Sequence, residues 1–248
     1  MKKSFLTLAI GFFAASIAIA QPTGAPTSPN FNAATSKLFG DNQAFSATME
    51  LQTTDPEKGD ALTMPGKISF DSGKSRFEMD MAEMKSSRIS PAQAAQMKQM
   101  GMSAIVTIGR PDKKNSYLIY PGLQSYVEMP MQDAEASASP NDYKIQMTEL
   151  GKETVDGHPC VKNQVIVTDK QSNTNQFITW NATDLKNFPV RVQVAGESKP
   201  TTMSFKNVSF DKPAATQFDP PAGYTKYDSI MAMMRDQMMK QMGGMFSH

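Results

Sequence analysis

Apolar and polar residues alternate over several short segments of this chain, and this alternation constrains the fold more than any other sequence feature. It is clearest in FSATMELQ (residues 45–52) and RFEMDM (76–81). A period of two is the side-chain period of a β-strand with one buried and one exposed face. The apolar members are Phe45, Ala47, Met49 and Leu51 in the first segment and Phe77, Met79 and Met81 in the second.

Similar segments recur along the chain, and residues that favour turns separate them, such as DPEKGD (55–60) and Asp156-Gly157. Ser90-Pro91 predicts the start of a short helix that Gly101 ends. Strands and helices do not alternate as they do in parallel sheets. The sequence therefore predicts a mainly β (α+β) protein, with ten or eleven strands in one antiparallel sheet and one domain.

The N-terminus has the pattern of a secretory signal peptide. Lys2 and Lys3 precede an apolar run, and Ala18-Ile19-Ala20 supplies small residues for cleavage before Gln21. We therefore expect a signal peptide over residues 1–20, a flexible leader over 21–30, and export to the periplasm or the medium. No later stretch is long and apolar enough to predict a membrane span in the mature chain. A formal net charge of +1 argues against nucleic acid as a partner.

Residues with the chemistry of catalysis are few in this sequence. It has two histidines and one cysteine, and His158 and Cys160 stand two positions apart. Such a pair could supply a nucleophile and its base, but the spacing within a strand favours Cys160 as a small packed hydrophobe. No known hydrolase, phosphate-binding or zinc motif is present. The sequence predicts a protein that is not an enzyme, with no cofactor and no catalytic or conventional metal-binding residues.

Methionine dominates the C-terminus, where MAMMRDQMMKQMGGMF (231–246) holds seven of the chain's twenty methionines. On a helix begun by Asp228 and ended by Gly243-Gly244, part of this segment forms an apolar stripe about 120° wide. Three hypotheses fit it: a helix docked on the sheet, a mobile lid or lipid-contacting helix, or a Cu(I) site built from thioethers. The stripe consists of Tyr227, Ile230, Met231, Met234, Met238 and Met242.

Three groups of motifs together resemble a known superfamily. They are GKISFDSGKSRFEMDM (66–81), SYLIYPGLQSYVEMPM (116–131), and a later series that includes WNATDLKNFPVRVQV (180–194) and QFDPPAGYTKY (217–227). Their order and spacing are similar to those of the periplasmic lipoprotein carriers, the LolA/LolB-like proteins. The chain is most similar to an uncharacterised family of secreted bacterial proteins related to them.

The resemblance implies a single antiparallel sheet of about eleven strands curled into an unclosed half-barrel, with covering helices. The half-barrel domain would span residues 31–227, and the methionine-rich helix of 228–248 would pack on it. The implied partner is a lipid or an acylated protein. Arg76 matches an arginine that holds covering helices in some carriers, or else it is a solvated charge beside Glu78.

We expect nine apolar residues to point into the concavity of this half-barrel. They either line a compliant cavity for an acyl chain or fill a closed, dry core. These residues are Phe45, Met49, Leu51, Phe70, Phe77, Met79, Met81, Ile145 and Met147.

Overall fold

The structure of the protein is a computed structural model that describes residues 33–55, 60–85, 90–131, 140–195 and 200–245. The predicted signal peptide (1–20) and leader (21–30) lie outside the described residues.

Twelve strands form one sheet, which is one strand more than the upper sequence estimate. Their order across the sheet is β12-β6-β5-β4-β3-β2-β1-β11-β10-β9-β8-β7. β7 and β12 therefore lie at opposite edges, and the sheet is not closed into a barrel. The strands are β1 Ala44–Asp55, β2 Asp60–Asp71, β3 Lys74–Asp80, β4 Ala104–Arg110, β5 Asn115–Tyr120, β6 Ser125–Pro130, β7 Lys144–Val155, β8 His158–Thr168, β9 Thr174–Ala182, β10 Phe188–Val194, β11 Thr201–Ser209 and β12 Thr225–Tyr227.

The sheet is mixed, whereas the sequence predicted an antiparallel one. Every other described pair of strands is antiparallel, but β12 pairs with β6 in parallel, with Tyr227 opposite Val127. β12 has three residues, too few to show a period of two, and so it was not predicted.

Hairpin turns join several neighbouring strands where the sequence placed them. In both the Ser72-Gly73 turn and the Asp156-Gly157 turn, φ is 50° at the first residue and 89° at the glycine. Two consecutive residues with positive φ form the turn whose twist matches that of the flanking strands.

Three α-helices lie outside the sheet within the described residues: α1 Ala33–Ser36, α2 Pro91–Gln99 and α3 Ile230–Met245. Ser90 caps α2 in a capping box with Gln93, and Gly101 follows the helix with φ 69°, as predicted. None of the described helices is long and apolar enough to cross a membrane.

The two faces of the sheet differ in chemistry. We call the face that carries Phe45, Leu51 and Phe77 the inner face, and the face that carries Arg76 and Glu78 the outer face. Most of the core lies on the inner face, where the 3-10 helix Lys37–Phe39 also packs.

Candidate functional site

Six of the nine predicted lining residues are buried side by side on the inner face. Strand register places Phe45 opposite Phe70, and Gly66 stands between Met49 and Met79. Met81 is half-buried and packs against the same cluster. The six buried residues are Phe45, Met49, Leu51, Phe70, Phe77 and Met79.

Aromatic rings fill the centre of this inner face. The centroid of Phe45 lies 4.8 Å from that of Phe39, 4.9 Å from that of Phe188 and 5.5 Å from that of Phe70. Ring pairs at such separations are in direct contact. This part of the inner face is therefore packed core.

The remaining two predicted lining residues, Ile145 and Met147, are 40% and 52% exposed. They lie on β7, opposite Val167 and Val165 of β8, both of which are completely buried. Because β7 is the last strand of the sheet, no further strand covers its side chains. The apolar inner face thus reaches solvent at this edge.

A small polar network interrupts the apolar inner face between β8 and β10. The Thr179 hydroxyl donates to Asn181 Oδ1 at 2.7 Å, and Asn163 Nδ2 donates to the same oxygen at 3.2 Å. Asn181 Nδ2 in turn donates to the Asn187 carbonyl at 2.9 Å. All four groups are paired, so the network adds polarity to the core without leaving a donor unsatisfied.

The C-terminal helix α3 packs on the inner face of β5 and β6 through a different methionine from those predicted. Met233 is 0% exposed and contacts the cluster that contains Tyr120 and Val127. Met231 and Met238, which belong to the predicted buried stripe, are 75% and 58% exposed.

The orientation of α3 therefore corrects the predicted docking face. Met234 is half-buried, and the side chain of Met242 lies outside the described residues. Methionines stand on both sides of this helix, so the apolar period alone could not distinguish the side that faces the sheet.

Among the described side chains of α3, residues 230–240, few besides Met233 hold the helix. Ser229, rather than the predicted Asp228, caps its start by accepting a hydrogen bond from the Ala232 amide at 3.1 Å. The Tyr227 hydroxyl on β12 donates to Asp236. Lys240, which lies 2.8 Å from Asp236, and the Tyr227 hydroxyl together lower the pKa of that carboxyl.

Arg76 lies on the outer face, away from α3. Its Nε donates to Glu78 Oε1 at 2.7 Å and its Nη1 donates to the Gln217 carbonyl at 3.0 Å. Arg76 therefore contacts both Glu78 and the 3-10 helix Ala215–Phe218, which covers part of the outer face.

Arg110 holds the same covering segment, a role that was not predicted from the sequence. It is buried, forms a bidentate pair with Asp112 at 2.8 and 2.7 Å, and donates to Asp219 at 2.5 Å and to the Phe218 carbonyl at 3.1 Å. The hydrogen bond to Asp112 raises the pKa of Arg110. Phe218 is completely buried in an outer-face cluster with Ile108, so the segment is anchored at its C-terminal end.

The outer face also carries three depressions. One, of about 490 Å³, lies over β1, β2, β3, β4 and β11 and contains Glu50, Lys67 and Glu78. A second borders Arg76 and Gln217, and a third includes Arg191. Charged side chains of both signs line each of these depressions.

His158 and Cys160 do not form a nucleophile–base pair. The Cys160 thiol is buried and donates to the carbonyl of His158 at 3.4 Å, whereas the His158 ring contacts Asp184 at 2.8 Å. Burial raises the pKa of Cys160, which lowers its nucleophilicity at neutral pH. Within the described ranges, no group of three or more His, Cys, Asp or Glu side chains is placed to hold a metal ion.

Solved structures similar to this chain include lipoprotein LppX of Mycobacterium tuberculosis, with 11% identity, coverage of 73% of this chain and 96% of that chain, and a TM-score of 0.41. A LolA superfamily protein of Nitrosomonas europaea has 7% identity, coverage of 75% and 94%, and a TM-score of 0.40. LprF of Mycobacterium bovis has 14% identity, coverage of 74% and 96%, and a TM-score of 0.38. At these TM-scores nothing about the ligand of this chain follows.

No curated protein matches the chain. An uncharacterised family matches the sequence, as the resemblance predicted. The match covers residues 45–187, more than half of the 248 residues, and the chain therefore belongs to the family described as Domain of unknown function (DUF4412).

Proposed function

We propose that this chain is a non-enzymatic carrier that binds the acyl chain of a lipid, or of a lipid-modified protein, on the inner face of its sheet. One observation carries the proposal. Among the α3 side chains that the structure describes, 230–240, Met233 is the one that is completely buried, and it covers an apolar patch around Tyr120 and Val127. An acyl chain is unbranched and apolar like the methionine side chain, and it could replace Met233 on this patch.

The patch under Met233 is continuous with the main core. Ile105 packs against the patch and stands opposite Met79 in the register of β3 and β4. Met79 belongs to the aromatic and methionine core of the inner face. From β6 to β3 is three strand spacings, about 14 Å, a distance that a long acyl chain spans.

The small number of contacts that hold α3 supports a movable cover. The hydrogen bond from Tyr227 to Asp236 and the ion pair between Asp236 and Lys240 are largely exposed to solvent. Exposed ion pairs contribute little to stability. Four apolar side chains of the helix face solvent: Ile230, Met231, Met238 and Met239. Contact with lipid would remove these apolar side chains from water, which is favourable.

The N-terminal pattern supports export as part of the same proposal. A positive start and an apolar run over residues 1–20 are typical of exported chains. The donor and acceptor of the acyl chain would then be envelope membranes or lipoproteins.

A fluorescent fatty acid tests this function directly. The delipidated chain from Gln21 onward is titrated with a dansyl-labelled long-chain fatty acid, and we expect saturable binding of one probe per chain. Unlabelled palmitate should displace the probe and butyrate should not, because butyrate has the same carboxylate but too little apolar length. Absence of saturable binding, together with no lipid in an organic extract of protein purified from its own host, would refute the proposal.

A pair of tyrosine variants tests the movable helix. Tyr227→Phe keeps the ring and removes the hydroxyl that donates to Asp236. We expect faster association of the fatty acid, because the helix opens more often. Tyr224→Phe is the matched control, since Tyr224 packs in the outer-face cluster away from α3. Equal association rates of the fatty acid for both variants would mean that opening of α3 is not the route by which the fatty acid enters.

A further inference from the structure

The described methionines of this protein differ widely in burial. Several on the strands are buried, whereas Met231, Met238 and Met239 are 58–75% exposed within nine residues of one helix. Core packing accounts for the first group and does not account for the second. The buried strand methionines are Met49, Met64, Met79 and Met203.

Three methionines of α3 share a single strip of its surface. At about 100° per residue, Met231, Met234 and Met238 fall within an arc of about 60°. Met233, the residue that docks the helix, is about 130° from the centre of that arc. The strip is therefore turned away from the sheet, which agrees with the exposure of Met231 and Met238.

The spacing brings the sulfur atoms of neighbouring methionines within reach of one another. Residues three and four apart on a helix have Cβ atoms about 5–6 Å apart. Met231 and Met234 are such a pair, and so are Met234 and Met238. Each side chain has three rotatable bonds, and Met231 and Met238 are exposed on either side of the half-buried Met234, so two thioethers can turn toward one ion.

The donor set selects the ion. Thioether sulfur is a soft, neutral ligand that favours Cu(I), whereas Zn²⁺, Ca²⁺ and Mg²⁺ prefer imidazole, thiolate or carboxylate. The strip from Met231 to Met238 carries no carboxylate, because Asp236 lies on another side of the helix and pairs with Lys240 and Tyr227. Hard divalent ions therefore find no suitable ligand on the strip.

We propose that Met231, Met234 and Met238 form a surface site for Cu(I), with Met234 shared between two possible thioether pairs. Binding involves coordination alone, and no electron or proton is transferred. The centre of the site lies about 130° around α3 from Met233, so Cu(I) binding and acyl-chain binding are measured by separate assays.

Competition with a colorimetric Cu(I) chelator tests the site. Cu(I) is added anaerobically, as its acetonitrile complex, to the full mature chain. We expect the wild type to take one equivalent of Cu(I) from a weak chelator. The triple variant M231L/M234L/M238L should lose at least tenfold in affinity, because leucine keeps the apolar volume and removes the sulfur.

Met239→Leu is the matched control. Met239 is 65% exposed on the same helix but lies about 110° from the centre of the strip. Its replacement should leave Cu(I) affinity unchanged. With ¹³C-methyl methionine, Cu(I) should shift the signals of residues 231, 234 and 238 and leave that of Met233 in place.

Two results would overturn this site. One is a wild-type protein that takes no Cu(I) from the weak chelator, and the other is a triple variant that binds Cu(I) as tightly as the wild type. The circular dichroism spectrum and melting temperature of the triple variant are measured in parallel, and wild-type values show that the protein is folded and that the loss is specific to the metal.

Discussion

Replacing Met233 by alanine should undock α3, and the matched change at Met238 should not. Met233 is completely buried between the helix and the patch around Tyr120 and Val127. Burial of a methionine side chain contributes about 1.5–3 kcal/mol, and truncation of a core methionine to alanine costs about 2–5 kcal/mol. Because the helix can settle onto a patch this small, we expect the lower end, about 2 kcal/mol. That corresponds to a roughly 30-fold increase in the opening equilibrium of α3.

Met238→Ala is a strict comparison, because both variants make the same chemical change in the same helix. The change in helix propensity is equal and cancels. Met238 is 58% exposed, so its truncation should cost less than about 0.5 kcal/mol.

Native-state hydrogen exchange of the α3 amides measures the opening of the helix, and urea denaturation measures the global stability. We expect Met233→Ala to accelerate exchange throughout α3 and Met238→Ala to leave it close to that of the wild type. Equal acceleration in the two variants would show that the exposed strip docks on the sheet and that the orientation of α3 described above is incorrect.

Three further changes test other parts of the structure. Arg110→Gln removes the charged group that holds Asp219. Thermal or urea unfolding should show that the free energy of unfolding falls by about 2 kcal/mol, since hydrogen bonds to charged groups contribute about 1.5–3 kcal/mol. Lys113 is a more exposed partner of the same carboxylate, so Lys113→Gln should lower the free energy of unfolding by less. Gly66→Ala places a Cβ 2.7 Å from the Glu78 carbonyl, on the backbone of β3, and the melting temperature should fall by an amount equivalent to about 1–3 kcal/mol. Lys113 and Arg110 lower the pKa of Asp219. This carboxylate therefore stabilises the fold above its unfolded pKa of about 3.9, and the contribution is lost as the pH falls through the lowered folded-state pKa. The melting temperatures of wild type and Asp219→Asn should converge in acid, and a difference that stays constant with pH would contradict this assignment.

The strands of this fold could be predicted because their side chains alternate against a single buried face. Phe45, Phe70 and Phe77 fall on that face as the period of two requires. The same rule failed at Ile145 and Met147, where alternation gives the correct face but cannot show that β7 is the last strand. Burial at an edge depends on the neighbouring strand, which the local sequence does not contain.

The contacts made by the C-terminal residues could not be predicted. A helix with methionines on both sides gives no preference between Met233 and the strip that contains Met238 until it is docked.

Arg110 pairs with residues more than a hundred positions away, as its contact to Asp219 shows. Such pairs arise from the order of the strands, which composition and period do not determine.

The order of the strands divides the sheet into two runs of hairpins that follow the chain, β1 to β6 and β7 to β11. Among the described strands, the two runs pair through β1 and β11, and there Thr48 donates to the Lys206 carbonyl across 158 positions of sequence. Pairings between distant residues form slowly, because a long loop must close before they contribute. Each run can begin to form during synthesis, but the two runs cannot pair until β11, Thr201–Ser209, has been made. Until then the β1 edge of the first run has no partner from the second run.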